Sequence, residues 1–462
     1  KTYPALLDLW AHGFLPTHVA IVGFARSEQS SERFREYLRP WLGKAVSKVQ
    51  ISRFLERCFY FQGSYDSSTD FARLATMLSD LEKVDDKRVP QPDITNRLFY
   101  FAIPPNVFLA SATSIKQSAL SETGFNRLIV EKPFGHDLAS AKKLASDLAG
   151  IFPEEQVFRI DHYLGKEVLQ NLVLFRCFNS FMEDMLNAEH VANVRITFKE
   201  DFGTEGRGGY FTHYGIIRDV IQNHLMQMLA LVAMELPSAV VGPEAGRYIR
   251  DAKVKALQDL TPFDPKEVVL GQYVGANGKP GYLEDDSIKS EDFERAQFTP
   301  TFAQIVARFK SKRWKGVPFF LRASKAVDER KCEIRVQFKV PTHAMNQGFK
   351  VARNELVMQV QPNEAIWLKC NVKSPGLQSH PLQSELELSY KSRFEGLYNP
   401  DAYTRLILEG LRGNQENFVR SDELLESWKL FSPLLEHLEG GGAGAKPVPY
   451  DYGSRGPPAA DA

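Results

Sequence analysis

Arg159-Ile160-Asp161-His162-Tyr163-Leu164-Gly165-Lys166-Glu167 stands where the pattern of the chain changes, and that change decides the fold class. Upstream, short β-rich runs at 18–23, 98–103 and 127–130 alternate with helical patterns at 31–48, 106–120 and 137–150. Such alternation predicts a parallel sheet wrapped by helices, because each parallel neighbour needs a crossover connection. Downstream, the strand candidates lengthen and alternate in polarity, as in Val194-Arg195-Ile196-Thr197-Phe198-Lys199 and Cys332-Glu333-Ile334-Arg335-Val336-Gln337-Phe338. Alternation of that kind predicts an antiparallel sheet with one solvated face. Further strands are predicted at 302–309, 355–361 and 385–390, and helices at 214–234, 401–412 and 421–438. The expected architecture is α/β followed by α+β, the second part carrying a large, mainly antiparallel sheet.

The same segment concentrates chemistry. A carboxylate, an imidazole, a phenol and an ammonium fall close together in it, a set suited to holding an anion beside a proton-transfer group. Val168, Leu169, Leu172, Val173 and Phe175 then recur with helical spacing, which puts Lys166 at a helix N-terminus. Free backbone N–H groups and the positive end of the helix dipole would assist Lys166 and His162 there in holding a phosphate.

With 462 residues, 43% hydrophobic and 25% charged, the chain has material for two domains with real cores. Lys plus Arg and Asp plus Glu both number 57, so no global field favours nucleic acid or an anionic membrane, and any anion site must be local. Cys58, Cys177, Cys332 and Cys370 lack C-x-x-C spacing, which argues against zinc and a disulfide framework and points to a reducing, cytoplasmic setting. No apolar run is long enough to span a bilayer, and no signal segment occurs. Lys1-Thr2-Tyr3-Pro4 lacks an initiator Met, so the natural N-terminus is expected upstream. Gly440-Gly441-Gly442-Ala443-Gly444-Ala445 reads as a flexible link, and the tail through Pro457 and Pro458 as too poor in apolar residues to fold alone.

A dinucleotide site is the natural reading of the first part, yet the G-x-G-x-x-G fingerprint is absent. The helical pattern at 2–12 leading into 18–23 reads as part of a βαβ unit whose first strand and glycine turn precede Lys1. The expected division is a Rossmann-like dinucleotide-binding domain at 1–163, without that first strand and Gly-rich loop, and an α+β domain at 164–462, flexible from about 440. Val22-Gly23-Phe24-Ala25-Arg26-Ser27 sits at the carboxyl end of the first visible strand, where such folds meet the adenosine ribose. Arg26, in place of an acid, favours a 2′-phosphate and hence NADP; the other reading is an exposed Arg in a βα loop.

Glu131-Lys132-Pro133-Phe134-Gly135 ends another strand, and the proline keeps Lys132 extended where open α/β sheets bind ligands. A solvated loop lysine is the alternative. Ala102-Ile103-Pro104-Pro105 closes the preceding strand with a rigid turn, and a cis peptide at one of its prolines is open. His224 also has two readings. α-Helical spacing puts it on one face with Ile217, Val220, Ile221 and Met228, as for a core histidine. Alternatively, a partly buried imidazole oriented by a carboxylate acts as a general base. Asp219, five residues away, would lie roughly 140° round an α-helix, so the orienting acid is sought elsewhere, and Asp161 is available.

The stretches Arg159 to Glu167 and Glu131 to Gly135 resemble signatures of the glucose-6-phosphate 1-dehydrogenase family. The likeness continues through Phe198-Lys199-Glu200-Asp201-Phe202-Gly203-Thr204-Glu205-Gly206-Arg207-Gly208-Gly209-Tyr210, Arg218-Asp219-Val220-Ile221-Gln222-Asn223-His224-Leu225 and Gly316-Val317-Pro318-Phe319. Lys325-Ala326-Val327-Asp328-Glu329-Arg330-Lys331 and Tyr452-Gly453-Ser454-Arg455-Gly456-Pro457 extend it, in the family's order, over essentially the whole chain.

The resemblance implies oxidation of D-glucose 6-phosphate to 6-phospho-D-glucono-1,5-lactone with reduction of NADP, the first step of the oxidative pentose phosphate pathway. It implies His224 as general base and Asp161 as the acid that steadies it. His162, Tyr163 and Lys166 would bind the substrate phosphate, with Lys325 and Arg330 at the same sugar-phosphate site. Glu200 and Asp219 would accept from sugar hydroxyls, Gln361 would add a substrate contact, and Lys132 would touch substrate and coenzyme. Lys1, Arg26 and Ala102 would contact the coenzyme. No metal is implied, and a homodimer or homotetramer joined through the large sheet is. Arg322, Lys331, Arg335, Lys369 and Arg455 match positions of a second, structural NADP found in some members, whereas Gln359, Trp367 and Glu387 depart from that pattern. Because the family's glycine-rich loop would precede Lys1, this polypeptide is expected to bind NADP weakly. Two alternatives are another sugar dehydrogenase with a Glu-Lys-Pro motif and a non-catalytic sugar-phosphate-binding protein. The former would leave His162, Tyr163 and Lys166 without a phosphate to hold.

Overall fold

The computed structural model describes every residue except 17, 44–45, 84–93, 347–350, 378–379, 443–444 and 462. Two compact units emerge: Lys1–Gly135 with Ala139–Gly165 and Asn399–Ser421, and His136–Leu138 with Lys166–Tyr398 and Asp422–Ala462. The sequence reading assigned everything after residue 163 to the second domain, yet Asn399–Ser421 belongs with the first. The cause is the helix Ala402–Arg412, whose apolar stripe of Tyr403, Leu406 and Ile407 packs with Ile129, Phe158 and Ile160.

In the first unit, helix Thr2–Ala11 leads into β1 (Ile21–Ala25), which pairs in parallel with β2 (Cys58–Gln62). β3 (Arg97–Phe101), β4 (Asn126–Val130) and β5 (Val157–Arg159) form a second parallel group in that order. Between the two groups lies a cavity of about 1140 Å³, lined by Val22 and Phe24 of β1 and by Leu98, Tyr100 and Phe101 of β3, among others. The helix expected over 31–48 breaks instead. Ser30 caps Ser31–Leu38, a 3-10 turn with Pro40 follows, and a capping box of Ser47 and Gln50 opens Lys48–Leu55. β2 escaped the sequence reading because Cys58-Phe59-Tyr60-Phe61 is a continuous apolar run, which has no period to detect.

The second unit is built on nine strands. They are β6 (Val191–Lys199), β7 (Val269–Val274), β8 (Phe302–Ala307), β9 (Phe319–Ser324), β10 (Lys331–Phe338), β11 (Glu355–Gln361), β12 (Ala365–Lys373), β13 (Pro381–Ser389) and β14 (Val448–Asp451). Their spatial order is β13-β12-β11-β10-β6-β9-β8-β7-β14, antiparallel except at β6–β9 and β14–β7. The predicted alternation is partly visible in β10, where Cys332, Ile334 and Val336 are buried and Lys331, Arg335 and Gln337 half-buried, but Glu333 on the polar face is buried too, so that face is not solvated as expected. Helix Met226–Ala233 is buried on every side, as its largely apolar composition requires, and its one polar side chain, Gln227, accepts from the buried Lys253.

The tail differs from expectation. β14 joins the sheet beside β7, with Tyr450 and Tyr452 buried, so the segment folds by borrowing a sheet edge rather than by its own apolar content. Of the expected link Gly440–Ala445, residues 443 and 444 lie outside the described residues. Gly440 and Gly442 instead donate to the carbonyls of Glu436 and His437, ending the helix Ser421–Glu439.

Candidate active site

Three of the expected coenzyme contacts share one structural address in the first unit. Arg26 follows β1, Ala102 follows β3 and Lys132 stands just beyond β4, so all three sit at the carboxyl ends of parallel strands, where α/β sheets bind ligands. Arg26 is exposed, and its guanidinium lies 5.8 Å from the Tyr65 ring centre. Lys132 precedes a cis proline, Pro133. The other cis bond among the described residues is Gln361–Pro362, so neither Pro104 nor Pro105 is cis.

The opening motif forms a tight turn after β5. Asp161 is buried, and its Oδ1 accepts the backbone N–H of Tyr163 at 3.0 Å. The N–H groups of Leu164 and Gly165 donate to the carbonyls of Asp161 and His162. Gly165 has a steric reason: a Cβ there would stand 2.7 Å from the Ala402 carbonyl oxygen. The His162 imidazole lies parallel to the Tyr403 ring, 5.8 Å between centres and 11° between planes. The Lys1 ammonium is 5.1 Å from the same phenol ring. Tyr100 donates its hydroxyl to Glu131. Burial and, after it, the Glu131 carboxylate hold the phenols of Tyr100 and Tyr403 well above their ordinary range. Sequence reasoning missed Tyr403, Glu131 and Tyr100 as members of this cluster, because they come from distant segments and no local spacing links them.

In the second unit, Lys166 is the N-cap of helix Glu167–Phe178 with extended backbone (φ −78°, ψ 135°), as the spacing predicts. Register then builds a polar cluster. β6 and β9 run parallel with Lys199 opposite Ser324, so the next residues, Glu200 and Lys325, emerge side by side. The Lys325 ammonium lies 2.5 Å from Glu200 and 3.8 Å from Asp219, with the Phe211 and Phe202 rings 5.4 and 5.9 Å away. The Tyr450 hydroxyl donates to the Lys325 carbonyl at 2.7 Å. Tyr210 belongs to this neighbourhood too: burial, Tyr214 and Asp219 push its phenol up to about 12. Arg330 is exposed just before β10, and Gln361 pairs with Cys332 across β10 and β11.

His224 is buried, at 3% exposure. Its helix is not α-helical. Ile217–Leu225 is π-helical, and the Asn223 side chain donates to the Arg218 carbonyl five residues back. Hydrogen bonds from i to i+5 widen the turn, so residues five apart lie about one turn above each other. The α-helical angle that set Asp219 far round from His224 therefore does not apply to this segment.

Comparison with known proteins decides the family. The profile of the glucose-6-phosphate dehydrogenase NAD binding domain matches residues 1–171, and that of the C-terminal domain matches residues 173–462. The chain belongs to the glucose-6-phosphate dehydrogenase family. A cytoplasmic isoform of glucose-6-phosphate 1-dehydrogenase from Solanum tuberosum is 45% identical over 466 residues, covering 100% of this chain and 87% of that protein. The Dictyostelium discoideum glucose-6-phosphate 1-dehydrogenase is 45% identical over 464 residues, covering 100% and 90%. A solved glucose-6-phosphate dehydrogenase in complex with its substrate glucose-6-phosphate is 44% identical with a TM-score of 0.90, covering 99% of this chain and 92% of that one.

Some members of the glucose-6-phosphate dehydrogenase family hold a second NADP, and the cations matching that site have partners within this chain. Arg322 donates to Asp461, to the Ala460 carbonyl and to Gln304, and Arg455 lies 3.5 Å from Asp461. Lys331 contacts Glu329 and Glu333, Arg335 contacts Glu333 and Glu355, and Lys369 contacts Glu385. Each of the five lies within ion-pair distance of a carboxylate of its own chain.

Proposed function

We propose that the protein oxidises D-glucose 6-phosphate at C1 to 6-phospho-D-glucono-1,5-lactone with NADP as acceptor, the first step of the oxidative pentose phosphate pathway. The observation that carries this is the match of both family domains along the whole chain. His224 takes the proton of the C1 hydroxyl as the C1 hydride leaves, so the C1–O bond becomes the lactone carbonyl. Asp161 serves as the acid that orients the imidazole and steadies the imidazolium. His162, Tyr163, Lys166, Lys325 and Arg330 hold the 6-phosphate, and Glu200, Asp219 and Gln361 take the sugar hydroxyls. Lys132 serves both ligands, while Lys1, Arg26 and Ala102 place the coenzyme. NADP, held there, supplies the hydride acceptor at nicotinamide C4.

Lys325 supports this division physically, since its paired carboxylates pre-orient the ammonium before substrate arrives. A homodimer or homotetramer joined through the large sheet is supported by β13, an edge strand exposed over most of its length with Leu382 and Leu386 in the open. The cytoplasm is the proposed location, because relatives in Solanum tuberosum and Arabidopsis thaliana carry that designation. No helix among the described residues is long and apolar enough to cross a membrane.

NADPH absorbance with D-glucose 6-phosphate tests the assignment. Lys166→Ala is expected to raise KM roughly tenfold or more with a smaller change in kcat, and Asp161→Asn to lower kcat by roughly 10²-fold or more. Equal effects of the two substitutions on both constants would contradict the division, and absence of NADPH formation would favour a non-catalytic sugar-phosphate binder.

A further inference from the structure

We propose that Tyr403 is a positioning residue of the sugar-phosphate site, fixing the His162 imidazole by ring stacking and the Lys1 ammonium by cation–π attraction. The inference rests on the reading of His162 as a phosphate ligand given above. Tyr403 is itself held from three sides. Asp401 caps the helix Ala402–Arg412 by accepting the Tyr403 N–H at 2.9 Å, which sets the first turn. The ring is 9% exposed and packs into the cluster containing Ile129, Phe158 and Ile160 of the β4–β5 region. The hydroxyl lies against the Glu131 carboxylate, to which Tyr100 also donates. Because burial and that carboxylate raise the phenol, it stays neutral and keeps its O–H as a donor.

That rigidity passes to His162. Two parallel rings with centres 5.8 Å apart are in offset contact, the arrangement aromatic pairs favour. An imidazole stacked on one face cannot turn about χ2 without losing the contact, while the nitrogens at its rim remain available to anionic oxygens. The turn carrying His162 is clamped to the same helix, since Gly165 approaches Ala402 too closely for any side chain. Ordering the imidazole before substrate arrives removes part of the entropy cost of binding. A tyrosine that merely filled the core would have no such reach. Its loss would lower stability without acting through His162.

The test is steady-state kinetics of Tyr403→Phe and Tyr403→Met, each alone and combined with His162→Ala, with thermal denaturation recorded for every protein. Met keeps much of the volume but not the planar ring; Phe keeps the ring. Tyr403→Met is expected to raise KM for D-glucose 6-phosphate about three- to tenfold with kcat within about twofold. Tyr403→Phe should keep KM within about twofold of the parent, and Tyr403→Met should add nothing once His162 is Ala. An unchanged KM in Tyr403→Met, beside a raised KM in His162→Ala, would overturn this proposal and leave the site reading intact. An unchanged KM in His162→Ala would overturn the site reading itself. Equal effects of Met with and without His162, or a Phe variant as impaired as the Met variant, would reduce Tyr403 to a packing residue.

Discussion

Single residues in this protein are placed by backbone constraints as much as by their own chemistry. Glu200 and Lys325 meet because two parallel strands end in register, and Tyr163 is fixed because its N–H is spent on Asp161. Gly165 is the sharpest case. A methyl group there would press on the Ala402 carbonyl at 2.7 Å, so Gly165→Ala is expected to cost about 1–3 kcal/mol of stability, as overpacking does. It should also raise KM for the sugar phosphate, because the turn and the helix that clamps it must part. Chemical denaturation beside steady-state kinetics checks both, and a Gly165→Ala protein as stable as the parent would show that the helix yields freely. Of the residues proposed for the site, Asp161, His162, Lys166 and Lys132 stand in contiguous motifs that the sequence singles out by residue type and spacing. Tyr403 and Glu131 were not, since their meaning depends on a fold that brings residues 100, 131, 162 and 403 together.

At the scale of elements, the helix Ala402–Arg412 carries a built-in pH dependence near its carboxyl end. Burial, foremost, raises Glu409 to about 7; nearby Glu416 adds to this, while hydrogen bonds from Asn417 and the charges of Arg405 and Arg412 oppose it. Glu416 is raised as well, again chiefly by burial. A carboxyl that binds its proton more tightly when folded stabilises the fold fully below its unfolded pKa and loses that contribution as pH rises through about 7. Glu409→Gln, permanently neutral, is therefore expected to flatten the fall in Tm between pH 5 and pH 8 by roughly 3 °C. Parallel Tm profiles for parent and variant would contradict this. Element reading from sequence succeeded where apolar and polar residues alternate, as in β10, and where apolar spacing marks a helix start, as after Lys166. It failed at Ile217–Leu225, because an apolar stripe at three, four and seven residues looks α-helical even when the hydrogen bonds run to i+5. It failed again at β14, whose stability comes from the edge of β7 and is invisible in its own composition.

For the whole molecule, the two units carry two kinds of sheet. The parallel strands of the first unit present Arg26, Ala102 and Lys132 at their carboxyl ends, and the nine-stranded sheet of the second presents Glu200 and Lys325 at the ends of β6 and β9. That division was legible from the switch in strand pattern near residue 164. The return of Asn399–Ser421 to the first unit was not, since only tertiary packing of its apolar stripe reveals it. The central claim is that a buried histidine in a π-helical segment is the base for hydride removal from D-glucose 6-phosphate. Its most direct test is single-turnover NADPH formation by the protein with His224→Asn, measured together with D-glucose 6-phosphate affinity. The account predicts a rate lowered by roughly 10²- to 10⁴-fold with affinity within about threefold of the parent. A variant that forms NADPH at the parental rate, or that loses affinity in proportion to rate, would contradict it.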